Sequence, residues 1–200
     1  MIPTSHMVSL CLSLSLSLVI FIVTLGAQEE RGNSVFVSAD GTVWITGRAC
    51  SEANDGDVPN TKHGGYDLWL LGINPTFNPT TDDTAEPIYN RCFGGSGRDL
   101  AYSICVQNNG TVWIIGSIDS NDGDTPDTKH DGPDIWLLGI NPKETPDKQI
   151  TYNHCFGEDG YDEGYSLCVS SNGIVWMTGY IQLTSTSFDM FLFGINPKKD

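Results

Sequence analysis

Two matching acidic segments are the clearest candidates for chemistry in this sequence. Asn54-Asp55-Gly56-Asp57 and Asn121-Asp122-Gly123-Asp124 each place carboxylate and amide oxygens beside a glycine. Ca²⁺ takes about six to eight oxygen ligands, so a weak Ca²⁺ site is predicted, with four aspartates as ligands: Asp55, Asp57, Asp122 and Asp124. The alternative is a solvent-facing turn rich in turn-forming residues, because the twelve-residue calcium-loop pattern and its closing Glu are absent.

The cysteines are the second candidate group. Cys92/Cys105 and Cys155/Cys168 have the same spacing, and Phe36 stands where a further copy would have its second cysteine. Because the two cysteines are present together in two copies, a disulfide within each pair is predicted if the chain is exported. Buried free thiols are the alternative, because strands at opposite edges of a unit lie too far apart for the roughly 4.4–6.8 Å that a disulfide needs between Cα atoms.

The acidic segments and the cysteines belong to a sequence unit that occurs three times. Each copy has two strands around a turn, as in YSICVQNNGTVWIIG, followed by an apolar strand: DLWLLGINP, DIWLLGINP or DMFLFGINP. Asp40-Gly41, Asn109-Gly110 and Asn172-Gly173 predict type I′ hairpin turns, in which both central residues have positive φ. Gly47, Gly116 and Gly179 are predicted to end the second strand. The third strand is apolar at nearly every position, which predicts burial on both faces.

A fourth strand and a glycine-rich connector complete the unit. IYNRCFG and ITYNHCFG predict the strand, and the two connectors that follow align without a gap, with Asp99 and Asp162 in the same place. These two aspartates are predicted to have a local role, accepting hydrogen bonds from backbone amides of the same turn. The units cover about 32–94, 95–157 and 158–200, and no stretch has helical periodicity. The tryptophans lie within strands at equivalent positions of the repeats, which indicates core packing rather than sugar stacking for Trp44, Trp69, Trp113, Trp136 and Trp176.

The strings GGSGRDLAYS, NGTVWIIG and YDLWLLGINP resemble the repeats of secreted and cell-surface bacterial β-propellers. The resemblance covers residues 32–197 and implies an all-β, β-propeller-like array of about three four-stranded blades. It implies surface display or ligand binding and brings no catalytic residue. Propellers typically close with four to eight blades, so three interpretations stay open: a truncated product, partial rings completed between chains, or a stacked array that does not close.

Residues 1–27 are interpreted as a secretory signal peptide, and residues 28–200 as the repeat domain. The run from Val8 to Gly26 is apolar and uncharged, with small residues at its end. A retained signal anchor is the alternative, because the run approaches the roughly 20 residues that span a bilayer and no Lys or Arg precedes it. No second apolar stretch of that length follows.

The formal net charge of -15 disfavours nucleic acids and anionic membranes as partners. An extracellular protein, a glycan or a second copy of the chain fits it better. We therefore expect a secreted or cell-surface, noncatalytic binding or structural module with no cofactor except Ca²⁺. The alternative is an extracellular glycosidase-like hydrolase, suggested by the SADGTVW hairpin; its two acids would lie about 5–10 Å apart, and the sequence singles out no such pair.

Overall fold

The computed structural model describes residues 8–10, 20–22, 30–50, 63–74, 87–126 and 129–198. These residues form strands and no helix, which confirms the all-β prediction for this part of the chain, and no membrane-spanning helix occurs in it. The strands are β1 (Val8–Leu10), β2 (Ile20–Ile22), β3 (Arg31–Val37), β4 (Val43–Cys50), β5 (Tyr66–Ile73), β6 (Tyr89–Phe93), β7 (Leu100–Val106), β8 (Val112–Ile118), β9 (Asp134–Ile140), β10 (Ile150–Phe156), β11 (Glu163–Val169), β12 (Val175–Thr184) and β13 (Ser187–Ile195).

The repeats form three antiparallel sheets. The first sheet has the order β3-β4-β5-β6, the second β7-β8-β9-β10 and the third β11-β12-β13; β1 pairs separately with β2. Every neighbouring pair is antiparallel and consecutive in the chain. The predicted order of strands within each unit is therefore confirmed in the described residues. β1 and β2 lie inside the segment interpreted as a signal peptide.

The hairpin turns differ from the prediction. In these turns the glycines have positive φ, at 85° for Gly41, 89° for Gly110 and 85° for Gly173, and no described residue of another type does. The Gly41 amide donates to the Ser38 carbonyl at 2.8 Å. The central residues of this turn are therefore Ala39 and Asp40, and Gly41 is its last residue. Type I′ was wrong because this loop is longer: a turn followed by a left-handed glycine needs positive φ at one position only.

The glycine in the middle of each second strand has a different role from the one predicted. Strands β4, β8 and β12 continue past Gly47, Gly116 and Gly179. Each of these glycines faces a bulge in the first strand, and a Cβ at Gly116 would overlap the Leu100 carbonyl oxygen. Glycine is therefore required by the close approach of two backbones rather than by a strand end.

The sheets pack face to face in chain order. We call the side that meets the following sheet the forward face and the opposite side the rear face. The forward face of the first sheet, with Trp44 and Leu70, packs on rear-face residues of the second sheet such as Ile114. The forward face of the second sheet, with Trp113 and Leu137, packs on the rear face of the third sheet in the same way. Side chains that alternate along each strand thus serve two different cores.

Candidate functional site

A cleft lies where the hairpin tips of the first two sheets meet. Its volume is about 420 Å³. The β3–β4 turn, the β7–β8 turn and the ends of the two outer strand pairs contribute to it. The lining residues are Ser38, Ala39, Asp40, Thr42, Trp44, Ile88, Tyr89, Val106, Gln107, Asn108, Asn109, Gly110, Pro142 and Lys143. Most of the side chains that face the cleft are amides, hydroxyls or aromatic rings.

The turns hold these side chains in place. Asp40 Oδ1 accepts hydrogen bonds from the Ser38 hydroxyl at 2.6 Å and from the Thr42 amide at 3.1 Å. In the second hairpin, Asn109 Oδ1 accepts from the Thr111 amide at 3.0 Å. The side chains of Asp40 and Asn109 therefore form hydrogen bonds within their own turns. Asn108, next to Asn109, is exposed to solvent.

Aromatic rings form the floor of the cleft. The rings of Trp44 and Tyr89 are 5.9 Å apart and tilted by 56°. The Tyr89 hydroxyl donates to Gln149 Oε1 at 2.6 Å, and burial raises the Tyr89 pKa above its usual range. Tyr89 therefore keeps its proton at physiological pH, and its hydroxyl is held in place as the donor to Gln149.

Asp40 is the one carboxylate among the described residues that line the cleft. The hydrogen bond from Ser38, followed by those from Thr42, lowers the Asp40 pKa. Asp40 is therefore ionised and unsuited to act as a general acid. A paired-carboxylate hydrolase would need a second acid with a raised pKa within about 10 Å.

A second polar centre lies at the opposite ends of the strands, in the connector between the first two sheets. Asp99 is fully buried and accepts four hydrogen bonds, from the amides of Gly95, Asp119 and Ser120 and from the Ser120 hydroxyl. Asp162 lies at the same place in the next connector and accepts from the amides of Glu158 and Gln182. The predicted local role is confirmed for the Gly95 and Glu158 amides of the connectors. The bonds from Asp119, Ser120 and Gln182 were not predicted, and they join each connector to the following sheet.

A second carboxylate approaches Asp99. A Cβ built on Gly94 would lie 2.5 Å from Asp99 Oδ2 and 2.8 Å from Asp67 Oδ1, so both carboxylates converge on this glycine. Asp67 Oδ2 accepts from the His63 amide at 2.7 Å, whereas Oδ1 is buried without a hydrogen bond. Burial raises the Asp67 pKa to about 6, and the charge of Asp99 adds to that rise against the His63 hydrogen bond.

The same arrangement recurs one unit later. Asp134 and Asp162 converge on Gly157, and Asp134 Oδ1 is again buried without a partner. The amide of His130 donates to Asp134 Oδ2 at 2.6 Å, while burial raises the Asp134 pKa. Sequence reasoning missed Asp67 and Asp134; the available signal was an aspartate directly before an otherwise apolar strand.

The acidic segment of the second unit packs against the connector. Asp122 Oδ1 accepts from the Ser96 amide at 2.6 Å, and Asp124 Oδ2 accepts from the Gly94 amide at 3.3 Å. Asp124 Oδ1 also lies 3.6 Å from the Arg91 guanidinium. These contacts use the oxygens that were predicted to bind Ca²⁺, and the described residues contain no group of three potential metal ligands. Asp55 and Asp57 lie outside the described residues, and the Ca²⁺ site stays a prediction for all four aspartates.

Within the described residues no disulfide is formed by any of the five cysteines there: Cys50, Cys92, Cys105, Cys155 and Cys168. The predicted disulfides Cys92–Cys105 and Cys155–Cys168 are therefore not supported. Cys92 lies on the outer strand β6, whereas Cys105 lies on the inner strand β7 of the next sheet. Burial raises the pKa of Cys105, and that of Cys155 to about 12. Buried, protonated thiols behave as small apolar side chains.

The tryptophans confirm the packing role expected of them in the first two sheets. Trp69 donates to Asn90 Oδ1 and Trp136 to Asn153 Oδ1, each at 2.7 Å, and all four tryptophans of these sheets are buried. Trp176 in the third sheet is 39% exposed. Trp176 has the same position in the repeat as Trp44 and Trp113, so its greater exposure comes from its surroundings in the third sheet.

No protein-family model matches this chain, and no curated protein is significantly similar to it. The class is therefore defined by the described residues, which are all-β and whose repeats form three packed antiparallel sheets.

Proposed function

We propose that this chain is a noncatalytic binding module and that the hairpin-tip cleft binds a hydroxyl-rich ligand, namely a glycan. The observation that carries the proposal is the cleft lining, in which amides and hydroxyls lie beside the partly exposed ring of Tyr89. Sugars are bound in proteins by such hydrogen-bonding groups together with apolar ring surfaces. The single carboxylate, Asp40, accepts hydrogen bonds and supports binding without chemistry.

The proposal is tested by screening the full chain against a glycan array and measuring the affinity for any hit by calorimetry. We expect Asn108→Ala to weaken binding about tenfold, since a lost hydrogen bond costs about 1 kcal/mol or more. Ser171 occupies the equivalent turn position in the third sheet, outside the cleft, so Ser171→Ala is the matched control. An array without hits, or a hit unaffected by Asn108→Ala, would contradict the proposal.

We also propose that the three sheets are blades of a β-propeller-like array. Two features support this arrangement. Each sheet packs its forward face on the rear face of the next sheet, and the first strands of neighbouring sheets lie side by side: β7 contacts both β3 and β11. The Asn33 side chain donates to the Ala101 carbonyl at 2.7 Å across the first of these contacts. Small-angle scattering would distinguish a curved array from a flat stack.

The proposed location is the cell exterior. The uncharged apolar run from Val8 to Gly26 supports export, and a strongly acidic chain suits an extracellular protein or glycan partner. Fractionation of an expressing host followed by N-terminal sequencing tests this. We expect a mature N-terminus near residue 28, in the medium or at the cell surface. A cytoplasmic chain that still starts at Met1 would contradict it.

A further inference from the structure

The forward face of the third sheet is apolar and exposed. Met190 is 83% exposed, Leu192 68%, Phe188 52% and Trp176 39%. The residues at the same register positions in the second sheet, Ile135 for Met190 and Leu137 for Leu192, are fully buried. Contiguous apolar surface of this kind on a soluble protein marks an interaction site.

The chain itself shows what covers such a face. In both internal contacts, the first strand of the following sheet lies across the forward face of the preceding one: β7 contacts β3, β4 and β5, and β11 contacts β7, β8 and β9. Ile104 of β7 and Leu167 of β11 point into these contacts and are 4% and 8% exposed. The partner of a forward face is thus a first strand with apolar rear-face residues.

One first strand of the described array lacks such a contact. Strand β3 carries Val35 at the position of Ile104 and Leu167, and Val37 two residues later. Val35 is 63% exposed and Val37 60%. Trp69 and Leu71 on the same rear face are buried, so the exposed apolar part of this face is the β3 side.

We propose that a second copy of this chain docks its β3 strand across the exposed forward face of β11-β12-β13. Each molecule has an exposed forward face and an exposed first strand, and these two kinds of surface already pack on each other twice within the molecule. The contact joins two different surfaces, so it is heterologous and generates a ring or an open chain of copies. It buries Met190, Leu192 and Trp176 of one copy against Val35 and Val37 of the other.

The test is the mass of the full chain across a concentration series, by light scattering and sedimentation. We expect the wild type to associate. Met190→Glu and Val35→Glu should each weaken the association about 100-fold, because each places an unpaired charge in an apolar contact. Tyr161 is 59% exposed in the β10–β11 connector, so Tyr161→Glu adds the same charge elsewhere and should associate like the wild type.

Mixing the two disrupted variants tests the direction of the contact. The Val35→Glu variant keeps an intact forward face, and the Met190→Glu variant keeps an intact β3. A 1:1 mixture should therefore form a dimer that neither variant forms alone. Both variants expose the altered side chains in the monomer, so their unfolding free energies should match that of the wild type when dilute.

Three results would overturn the proposal. The first is a wild type that stays monomeric throughout the series. The second is association that Met190→Glu abolishes and Val35→Glu leaves unchanged, which would indicate that two forward faces pack on each other. The third is association that survives in both variants, which would place the contact on another part of the chain.

Discussion

The second and third sheets are built from nearly the same residues and have opposite surroundings. Strand β9 reads DIWLLGI and is buried at every position, whereas β13 reads SFDMFLFGI and is buried at Phe191 alone. The apolar run predicted burial on both faces for each third strand, which is confirmed for β9 and wrong for β13. The difference is the next sheet: β9 has one on each side, and β13 has a packed sheet on its rear face only. An apolar strand sequence therefore indicates a strand that can be covered on both faces, and the packing of neighbouring sheets decides whether both faces are covered.

The largest difference between the two sheets is expected from a matched pair of substitutions, Leu137→Ala in the second sheet and Leu192→Ala in the third. Leu137 is fully buried, so its truncation should lower the free energy of unfolding by about 2–5 kcal/mol. Leu192 is exposed in the monomer, so its truncation should change stability by less than about 0.5 kcal/mol. Urea unfolding of dilute protein measures both. Equal losses would mean that the two faces are equally covered.

The two connectors offer a second comparison. Asp99 accepts four hydrogen bonds and anchors the second sheet, whereas Asp162 accepts two and anchors the third. Asp99→Ala should therefore cost about 3 kcal/mol and Asp162→Ala about half as much, since buried amides lose their acceptor in each case. Thermal or urea unfolding provides the measurement. A larger loss for Asp162→Ala would contradict the ranking.

The aspartate that begins each third strand gives a test by pH. The Asp67 pKa is raised to about 6 in the folded chain, so the protonated carboxyl favours the fold. Its contribution is full below the unfolded pKa near 3.9 and is lost as pH rises through about 6, by about 3 kcal/mol. The Asp67→Asn variant should lack this fall in stability between pH 4 and 7.

Asp189 occupies the equivalent position in the third sheet and is exposed. Asp189→Asn is therefore the control, and its unfolding free energy should follow the wild-type pH profile. If Asp67→Asn and Asp189→Asn had the same profile, burial would not be the cause of the Asp67 effect.

The smallest expected effect is spectroscopic. Trp113 is 3% exposed and its equivalent Trp176 is 39% exposed. Acrylamide should quench Trp176 strongly, and Trp176→Phe should remove most of the quenchable fluorescence, whereas Trp113→Phe should not. Quenching should also decrease as the protein is concentrated if the forward face is covered by a second copy. A quenching profile insensitive to Trp176→Phe would contradict the exposure of this face.

The local features of this protein were determined by its sequence. The strands, their antiparallel order and the local amide bonds of Asp99 and Asp162 follow from patterns over a few residues, because hairpin turns and period-two side-chain alternation act at short range. Even there, the turn class was missed, since Asp-Gly and Asn-Gly suit two loop lengths. The cleft was not predicted at all, because its walls come from residues about seventy positions apart.

Only the tertiary structure decided which apolar faces are covered, which carboxylates meet and which cysteines can pair. Asp67 and Asp99 are thirty-two residues apart and converge at Gly94, and Cys92 and Cys105 are thirteen apart and lie on strands at opposite edges of their sheets. Leu137 and Leu192 are the same residue in the same motif with opposite burial. Burial, and every pKa and stability that depends on it, is a property of the neighbours that a side chain acquires, and those neighbours come from distant parts of the chain.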